Sequence, residues 1–423
     1  MSRSLWVALC NFNDLRGGAT RAAMRQHVAL RADGVDSRLH VLTKQSNNAT
    51  VFPFDYRATS WRRLRRRLRK ARIDREFAKY RRSRPQGFEQ FSDDRVHLGA
   101  DVFRDLSGAQ VVNLHWVAGY CDYRAIFSDL LSRKPVVWTL HDMNAFTGGC
   151  HYDHGCAGFA ARCGCCPQLG SSDERDLSAR VWARKRHAID SRSRVNPFRV
   201  VSPSRWLAAQ AQRSALFRDQ HVEVIPYGLD TSVYRPCDQA SARRLHGLAD
   251  GDRVILFLAS GAGARRKGFR FLDQAVSGIA DRRELVVVTV GGERPPSSGS
   301  YDHRHLGSVT DEERLAEVYS MADLFVIPSL EDNLPLACQE ALACGTPVVG
   351  FAVGGIPDMV IDGQTGLLAP PKDAKALSQA IQRFFGDPAL AERLSAGARE
   401  HAVREYSYAK NAAAYRALYE SLV

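Results

Sequence analysis

One stretch in the second half of this sequence constrains the fold more than any other, because it has the pattern strand, acidic turn, helix, strand. Ala322–Ile327 and Thr346–Val353 are apolar runs with the length and content of buried strands. Between them we predict a short helix over Leu334–Cys344, with Asp332 or Asn333 as its N-cap. Such a βαβ unit predicts a parallel sheet that binds its ligand at the carboxyl ends of the strands.

The acidic residues of this turn have a spacing that suits a nucleotide ligand. Free N–H groups and the helix dipole favour a phosphate at the N-terminus of the predicted helix. Glu340 follows Asn333 by about seven residues, which places it roughly 10 Å along the helix axis, a suitable offset for gripping two ribose hydroxyls. The alternative is that Asp332 only caps the helix and that Glu340 is a solvated helix residue.

This segment resembles the donor-binding motif of the retaining GT-B glycosyltransferases, in particular glycosyltransferase family four (glycosyl transferases group 1). The hallmark of that family is two acidic residues eight apart, here Asp332 and Glu340, although the first is usually Glu and Glu331 is an alternative for that position. The sequence is similar to the exopolysaccharide or colanic-acid-type branch. The resemblance implies that Asp332 or Glu331 contacts the donor sugar, that Asn333 and Leu334 lie at the nucleotide sugar, and that Glu340 holds the ribose.

A basic turn matches the same family. Lys267-Gly268 follows a Gly-rich loop and resembles the diphosphate-binding Lys-Gly of its members. Members usually carry Arg five residues before that Lys, where this chain has Ala262, so Arg265 or Arg266 is the expected replacement. Cations on the diphosphate oxygens would neutralise the leaving group without a metal. The alternative is a solvated basic turn.

Two motifs in the first half complete the resemblance. Gly17 and Gly18 follow the first predicted strand, and glycine lets a backbone approach a ligand closely at a helix N-terminus; the alternative is a plain turn. His141-Asp142 ends a later strand and looks like the family's His-Asp pair, which implies that His141 faces the donor sugar. The alternative is that Asp142 caps the next turn and that His141 is a packed polar residue. His115, near the end of another strand, is the weaker candidate for the active site.

Length and charge set the remaining limits. The chain has 423 residues, enough for two domains, and a formal net charge of +13. No run of eighteen apolar residues occurs, which excludes a membrane-spanning helix of the usual kind. The first residues become polar too early for a signal peptide, so we expect a cytoplasmic protein with reduced thiols.

Most of the net charge lies in one stretch, residues 61–86, which holds 13 Lys and Arg against 2 acidic residues. Trp61, Leu64, Leu68 and Ala71 recur at helical spacing, so we predict a basic amphipathic helix. Phe77 and Tyr80 are expected to extend its apolar side. Such a helix suits an anionic membrane surface, and we expect the protein to be peripheral on the inner face of the cytoplasmic membrane. The alternatives are a solvated helix, a disordered insertion or nucleic-acid binding, for which no recognition motif is present.

A cysteine-rich loop, residues 148–170, follows His141 closely. Cys150, Cys156, Cys163 and Cys166 end in a C-x2-C pair, which in a reducing compartment favours a structural zinc site over disulfides. The rival ligands are Cys165, His151 and His154, and the alternative is a loop of free thiols. The loop also occurs in the branch named above and is expected to shape the acceptor side.

From these observations we predict an α/β protein with the GT-B fold, in which two Rossmann-like domains face each other across a cleft. The expected domains are an acceptor-side domain over 1–228, a nucleotide-sugar domain over 229–404, and a terminal helix over 405–423 that returns to the first domain.

The expected reaction transfers a hexosyl unit from a nucleotide sugar, with retention, to a glycan or polyprenyl-linked acceptor in bacterial surface polysaccharide synthesis. The resemblance implies front-face attack, in which the departing phosphate takes the acceptor proton, and no cofactor is required. The alternatives are a GT-B nucleotide-sugar epimerase or hydrolase, and a zinc-stapled basic adaptor that binds nucleic acid.

Overall fold

The chain folds into two α/β units, each built on a parallel sheet. The computed structural model describes residues 5–54, 60–88, 90–130, 134–190, 198–259, 265–282 and 284–423. The first unit extends to Ile225 and also contains Asn411–Val423, and the second comprises Pro226–Lys410. The predicted pair of Rossmann-like domains is confirmed.

The sheet of the first unit has seven parallel strands in the order β3-β2-β1-β4-β5-β6-β7. They are β1 Trp6–Asn13, β2 Asp36–Thr43, β3 Val51–Pro53, β4 Val111–Leu114, β5 Val136–Thr139, β6 Arg199–Ser202 and β7 Val222–Val224. The central strands read as unbroken apolar runs because helices cover both faces of such a sheet. The helices of this unit are α1 Gly18–Ala32, α2 Ser60–Ala78, α3 Tyr123–Ala125, the π-helical turn Ile126–Leu130, α4 Leu177–Asp190 and α5 Arg205–Arg213.

The sheet of the second unit has six parallel strands in the order β10-β9-β8-β11-β12-β13. They are β8 Arg253–Leu258, β9 Leu285–Val290, β10 Asp302–His305, β11 Leu324–Ile327, β12 Val348–Phe351 and β13 Gly366–Ala369. The helices are α6 Gln239–Leu245, α7 Phe269–Ser277, α8 Glu312–Met321, α9 Leu336–Ala343, α10 Ile356–Met359, α11 Ala374–Gly386 and α12 Pro388–Tyr406.

The last helix, α13 Tyr408–Glu420, returns to the first unit as predicted. The hydroxyl of Tyr415 lies 3.0 Å from Oγ1 of Thr139 at the end of β5. Tyr419 accepts a hydrogen bond from Gln26 and donates one to Asn113, and all three side chains are buried. The C-terminus is therefore tied to the centre of the first sheet by buried hydrogen bonds as well as by apolar packing.

The predicted N-cap of α9 is wrong. The capping position is Pro335, which has no side-chain hydrogen bond to the helix, and the helix begins only at Leu336. Asp332 and Asn333 precede the cap and are buried. The reason is that Asp332 is held by cations from another turn, which compete with the helix N-terminus for its oxygens.

The basic helix is shorter than the predicted range 61–86, because α2 ends at Ala78. Phe77 and Tyr80 do not extend its exposed apolar side, since both pack against the small core that contains Phe91 and Leu177. Beyond Ala78 the chain is held as turns, with the Ser83 hydroxyl donating to the carbonyl of Leu169 at 2.7 Å. In the described part of the chain, no helix has the length and apolar character to cross a bilayer.

Candidate functional site

The residues predicted from sequence fall into two groups, one in each unit. In the second unit, β8, β11 and β12 are neighbours in the sheet and run parallel. The turns that follow them therefore meet at one edge, where ligands bind in folds of this kind. These turns carry Lys267, Asp332 and Gly354 respectively.

Asp332 is the centre of this group because two cations converge on its carboxylate. Nζ of Lys267 lies 2.7 Å from Oδ2, and Nη1 of Arg266 lies 3.1 Å from Oδ1. Ser329 donates a further hydrogen bond of 3.2 Å to Oδ2. Burial by itself would raise the pKa of Asp332, but the two cations and the hydrogen bonds outweigh it and lower the pKa to about 2. The carboxyl group is therefore ionised at neutral pH and cannot act there as an acid.

The basic turn is fixed to the acidic turn by backbone contacts as well. Leu330 N–H donates to the carbonyl of Arg266 at 2.8 Å, and the Arg266 guanidinium donates to the carbonyl of Glu331 at 2.7 Å. Of the two arginines predicted to assist Lys267, Arg266 contacts this turn, whereas Arg265 is exposed. Ala262, the position of the expected family arginine, lies outside the described residues.

Two glycines allow this close approach. A Cβ on Gly268 would lie 1.9 Å from the carbonyl oxygen of Pro328, and one on Gly354 would lie 1.8 Å from that of Asp332. Both have positive φ, 71° and 57°, which other residues adopt at a cost. Gly355 N–H also donates to the Asp332 carbonyl at 3.0 Å. The acidic turn is therefore enclosed between two glycine turns.

Glu340 is not a solvated helix residue. It is 1 % exposed, and Oε2 accepts a hydrogen bond of 2.9 Å from the hydroxyl of Tyr319 in α8. Burial together with the Glu340 charge raises the pKa of Tyr319 well above its ordinary value, which keeps the phenol protonated as a donor. Asn333 and Leu334 are buried in the same segment, whereas Glu331 is half-buried. Tyr319 is not predicted as a site residue from the sequence, because its contact with Glu340 depends on the packing of two neighbouring helices.

In the first unit, β1, β4 and β5 are also parallel neighbours, so the segments after them share one edge. These segments hold Gly17 and Gly18, then His115 and Trp116, and finally His141 and Asp142. Gly17 has a φ of 97° at the N-cap of α1, and a Cβ added to either glycine would meet no atom within 4 Å.

Asp142 organises the edge after β5. Its Oδ2 accepts hydrogen bonds from Trp116 Nε1 at 2.9 Å and from His151 Nδ1 at 2.6 Å, and its Oδ1 accepts one from the Asn144 N–H at 2.8 Å. Burial would raise the pKa of Asp142, but His151 and the hydrogen bonds outweigh it and lower the pKa. The sequence predicts His151 only as a rival zinc ligand. Its geometry makes it part of the His-Asp turn instead.

His141 lies beside this carboxylate and against a second histidine. Its Nε2 is 3.0 Å from Nδ1 of His115. Burial lowers the pKa of His141 to about 4, although Asp142 acts in the opposite direction, so the ring is neutral at pH 7. A neutral imidazole can donate or accept a hydrogen bond but brings no positive charge to a ligand.

A buried cation supports the same turn. Lys185 of α4 is fully buried, its Nζ donates to the carbonyl of Asn144, and it lies 4.6 Å from the centroid of the Tyr123 ring. Burial lowers the pKa of Lys185 to about 8, with nearby acidic groups opposing the shift. No sequence pattern indicates a buried role for Lys185, because a lysine on a basic helix is usually solvated.

The four predicted zinc ligands lie around one small cavity of about 20 Å³ in the first unit; they are Cys150, Cys156, Cys163 and Cys166. The rivals Cys165, His151 and His154 are not among the described residues that line it. Burial raises the pKa values of the Cys150, Cys163 and Cys166 thiols, in the case of Cys163 to about 12. Within the described residues, no three His, Cys, Asp or Glu side chains are already arranged to hold a metal ion.

Comparison with known proteins agrees with this fold. The whole chain superposes on sucrose-phosphate synthase from Thermosynechococcus elongatus with a TM-score of 0.68 and 21 % identity over 99 % of each chain. It superposes on Anabaena Alr3699/HepE in complex with UDP-glucose with a TM-score of 0.65 and 14 % identity, over 99 % of this chain and 100 % of that one. At these identities the likeness concerns the fold.

Sequence similarity to glycosyltransferases covers part of the chain. The D-inositol 3-phosphate glycosyltransferase of Kribbella flavida is 34 % identical over 226 residues, which are 48 % of this chain and 52 % of the relative. The protein of the same name from Actinosynnema mirum is 35 % identical over 217 residues, 47 % and 51 % of the two chains. The chain thus spans about half the length of the curated relatives it matches. Residues 252–387, which lie within the second unit, match the family described as glycosyl transferases group 1.

Proposed function

We propose that this protein is a retaining glycosyltransferase that moves a hexosyl unit from a nucleotide sugar to a glycan or lipid-linked glycan acceptor in surface polysaccharide synthesis. The observation that carries the proposal is the pair Asp332 and Glu340, which are eight residues apart and both buried, with Asp332 paired to the cations of the basic turn. The group 1 family match over residues 252–387 covers this pair.

For the donor we propose that Glu340 holds the ribose and that Lys267, with Arg266, neutralises the diphosphate. Lys267 and Arg266 share a single carboxylate, that of Asp332, so this cluster keeps one net positive charge. A diphosphate brings negative charge to such a group, and charge-assisted hydrogen bonds to it are about twice as strong as neutral ones. The buried position of Glu340 supports a specific rather than a solvated role, because a carboxylate is rarely buried without a partner.

For the sugar we propose that Asp332 or Glu331 makes contact from the acidic turn and that His141 makes contact from the first unit. Asp332 is ionised at neutral pH, so its part is to orient and to balance charge rather than to transfer a proton. This agrees with front-face attack, in which the departing phosphate takes the proton of the acceptor. Gly17 and Gly18 remain proposed neighbours of the donor, for which their open surroundings leave room.

Two acceptor classes follow from different observations. The exposed side of α2 favours a lipid-linked acceptor, because Trp61, Leu64 and Leu68 are 67 %, 47 % and 63 % exposed among basic residues. We accordingly propose that the protein binds an anionic membrane surface through this helix. The curated relatives favour the second class, a small phosphorylated polyol, since they are named D-inositol 3-phosphate glycosyltransferases.

We also propose a structural zinc ion held by the four cysteines around the cavity in the first unit. Four thiolates are a usual tetrahedral donor set for zinc, and the cavity has room for about one small ion. The thiols would have to turn towards the centre, and they would lose their protons on binding. The ion would stabilise the loop that carries His151, without a part in the transfer itself.

The central experiment measures binding of UDP-, GDP- and ADP-sugars by calorimetry, with product analysis by NMR. We expect one nucleotide class to bind, Glu340→Gln to weaken that binding by tenfold or more, and the product to keep the anomeric configuration of the donor. Glu313→Gln, on the exposed side of α8, is the matched control and should change nothing. Unchanged binding in Glu340→Gln would contradict the donor site, and donor turnover without any acceptor would favour a hydrolase or epimerase.

A further inference from the structure

Two histidines, His115 and His141, are in contact at the carboxyl edge of the first sheet. The proposed reaction gives a role to His141 but none to this contact. β4 and β5 are parallel neighbours, so His115 follows one strand and His141 follows the other at the same edge. The backbone of His115 is anchored, because its N–H donates to the carbonyl of Cys10 in β1 at 2.9 Å. The two rings lie 5.3 Å apart between centroids with 31° between their planes.

The contact between the rings runs from Nδ1 of His115 to Nε2 of His141, at 3.0 Å. Two nitrogens at this distance share one hydrogen, so one ring donates and the other accepts. Both rings are neutral at pH 7, because burial lowers the pKa of His141 to about 4 and, together with His141, lowers that of His115 well below its ordinary value. Each neutral ring carries a single N–H, so the direction of this one bond fixes both tautomers.

The surroundings of the other ring nitrogen of His115, Nε2, determine which of the two rings donates this hydrogen bond. His115 is 2 % exposed, and its Nε2 is buried with no hydrogen-bond partner among the described residues. A buried N–H without an acceptor is disfavoured more strongly than a bare ring nitrogen in an apolar surrounding. The hydrogen of His115 is therefore expected on Nδ1, where an acceptor is present.

We propose that His115 is a positioning residue that donates from Nδ1 to Nε2 of His141 and thereby fixes His141 as the tautomer with its hydrogen on Nδ1. His141 then offers one defined N–H donor rather than a mixture of two tautomers. The carboxylate of Asp142 is held separately by Trp116 and His151, so it does not compete for the hydrogen between the two rings. The proposal concerns these two rings and does not depend on the proposed reaction.

The test is a long-range ¹H–¹⁵N correlation spectrum of the full chain labelled with ¹⁵N-histidine at pH 7, which distinguishes protonated from bare ring nitrogens. The signals of His141 and His115 are identified by their loss in His141→Gln and His115→Phe. We expect both rings to show a protonated Nδ1 and a bare Nε2. A protonated Nε2 on His141 in the wild type would overturn the proposal.

Two variants separate positioning from packing. His115→Phe keeps an aromatic ring but removes the donor, so the Nε2 signal of His141 should shift from the bare towards the protonated range. His115→Asn carries an amide N–H close to the position of Nδ1, and it should restore the Nδ1–H form of His141. An unchanged His141 spectrum in folded His115→Phe would also overturn the proposal.

Discussion

The hydroxyl of Tyr319 donates a hydrogen bond of 2.9 Å to Oε2 of Glu340, and neither side chain is more than 1 % exposed. The bond joins α8 to α9 and holds the carboxylate that we propose for ribose binding. A buried carboxylate depends on such donors, because the loss of one leaves part of the free-energy cost of its desolvation uncompensated.

The first prediction concerns this bond. Tyr319→Phe removes the donor without changing the packing of the ring, and we expect a loss of about 1–3 kcal/mol in the free energy of unfolding. We also expect weaker binding of the nucleotide sugar, because Glu340 loses its fixed orientation. Urea unfolding and calorimetry measure the two effects. Tyr234→Phe removes the hydroxyl bonded to Glu312 in the same unit and should leave nucleotide binding intact.

The second prediction concerns pH. The pKa of Asp332 is lowered to about 2 from an ordinary value of 3.8, so its ion pairs stabilise the fold above pH 4 and lose this effect as the pH falls towards 2. The shift corresponds to about 2 kcal/mol at neutral pH. Asp332→Asn should therefore be less stable than wild type at pH 7, and the difference should shrink below pH 4.

The measurement for that prediction is urea unfolding of both proteins between pH 3 and 7. Asp373→Asn is the control, because Asp373 is the exposed N-cap of α11 and Asn can cap equally well. A difference between wild type and Asp332→Asn that stays constant across this range would contradict the ion-pair account.

The third prediction separates crowding from backbone strain at the glycines. Gly354 and Gly363 both have positive φ, 57° and 73°, but a Cβ meets the Asp332 carbonyl only at Gly354 and nothing within 4 Å at Gly363. Gly363→Ala should cost about 1–2 kcal/mol for the left-handed backbone. Gly354→Ala should cost more in thermal unfolding and should also weaken nucleotide binding. Equal losses of thermal stability in the two variants would contradict a contribution of the close contact between Gly354 and the Asp332 carbonyl.

The fourth prediction concerns zinc. Protein purified without chelator should contain about one zinc ion per chain by mass spectrometry, and Cys150→Ser or Cys163→Ser should lose it. Cys165→Ser is the matched control within the loop, because its thiol donates to the Ser172 carbonyl at 3.2 Å and faces no part of the described cavity wall. Wild-type protein without zinc, even after incubation with zinc under reducing conditions, would contradict the site.

The fifth prediction concerns α2. The protein should sediment with vesicles that contain phosphatidylglycerol, more weakly at 0.5 M salt, and hardly at all with neutral phosphatidylcholine. Replacing Trp61, Leu64 and Leu68 by Ser should weaken the binding at least tenfold. Leu245→Ser, which removes a side chain 71 % exposed on α6, should not. Binding that ignores salt, or no binding, would contradict an electrostatic membrane contact.

The sequence predicted the elements of both sites well, because each element is a local pattern. The strand Leu324–Ile327 and the helix after it follow from apolar runs and turn residues close in the chain. The N-cap was predicted wrongly for the same reason, since local preference places Asp332 at the helix start while two cations from a turn 65 residues away bind it instead.

The sequence by itself determined that the chain builds two parallel sheets and that acidic, basic and histidine-bearing turns follow particular strands. Only the tertiary structure decided which of these turns meet. The strand orders β1-β4-β5 and β8-β11-β12 bring Trp116 to Asp142 and Arg266 to Asp332. The physical reason is that strand order and helix packing, unlike periodicity, arise from contacts between residues far apart in the chain, and a single sequence carries no local signal for them.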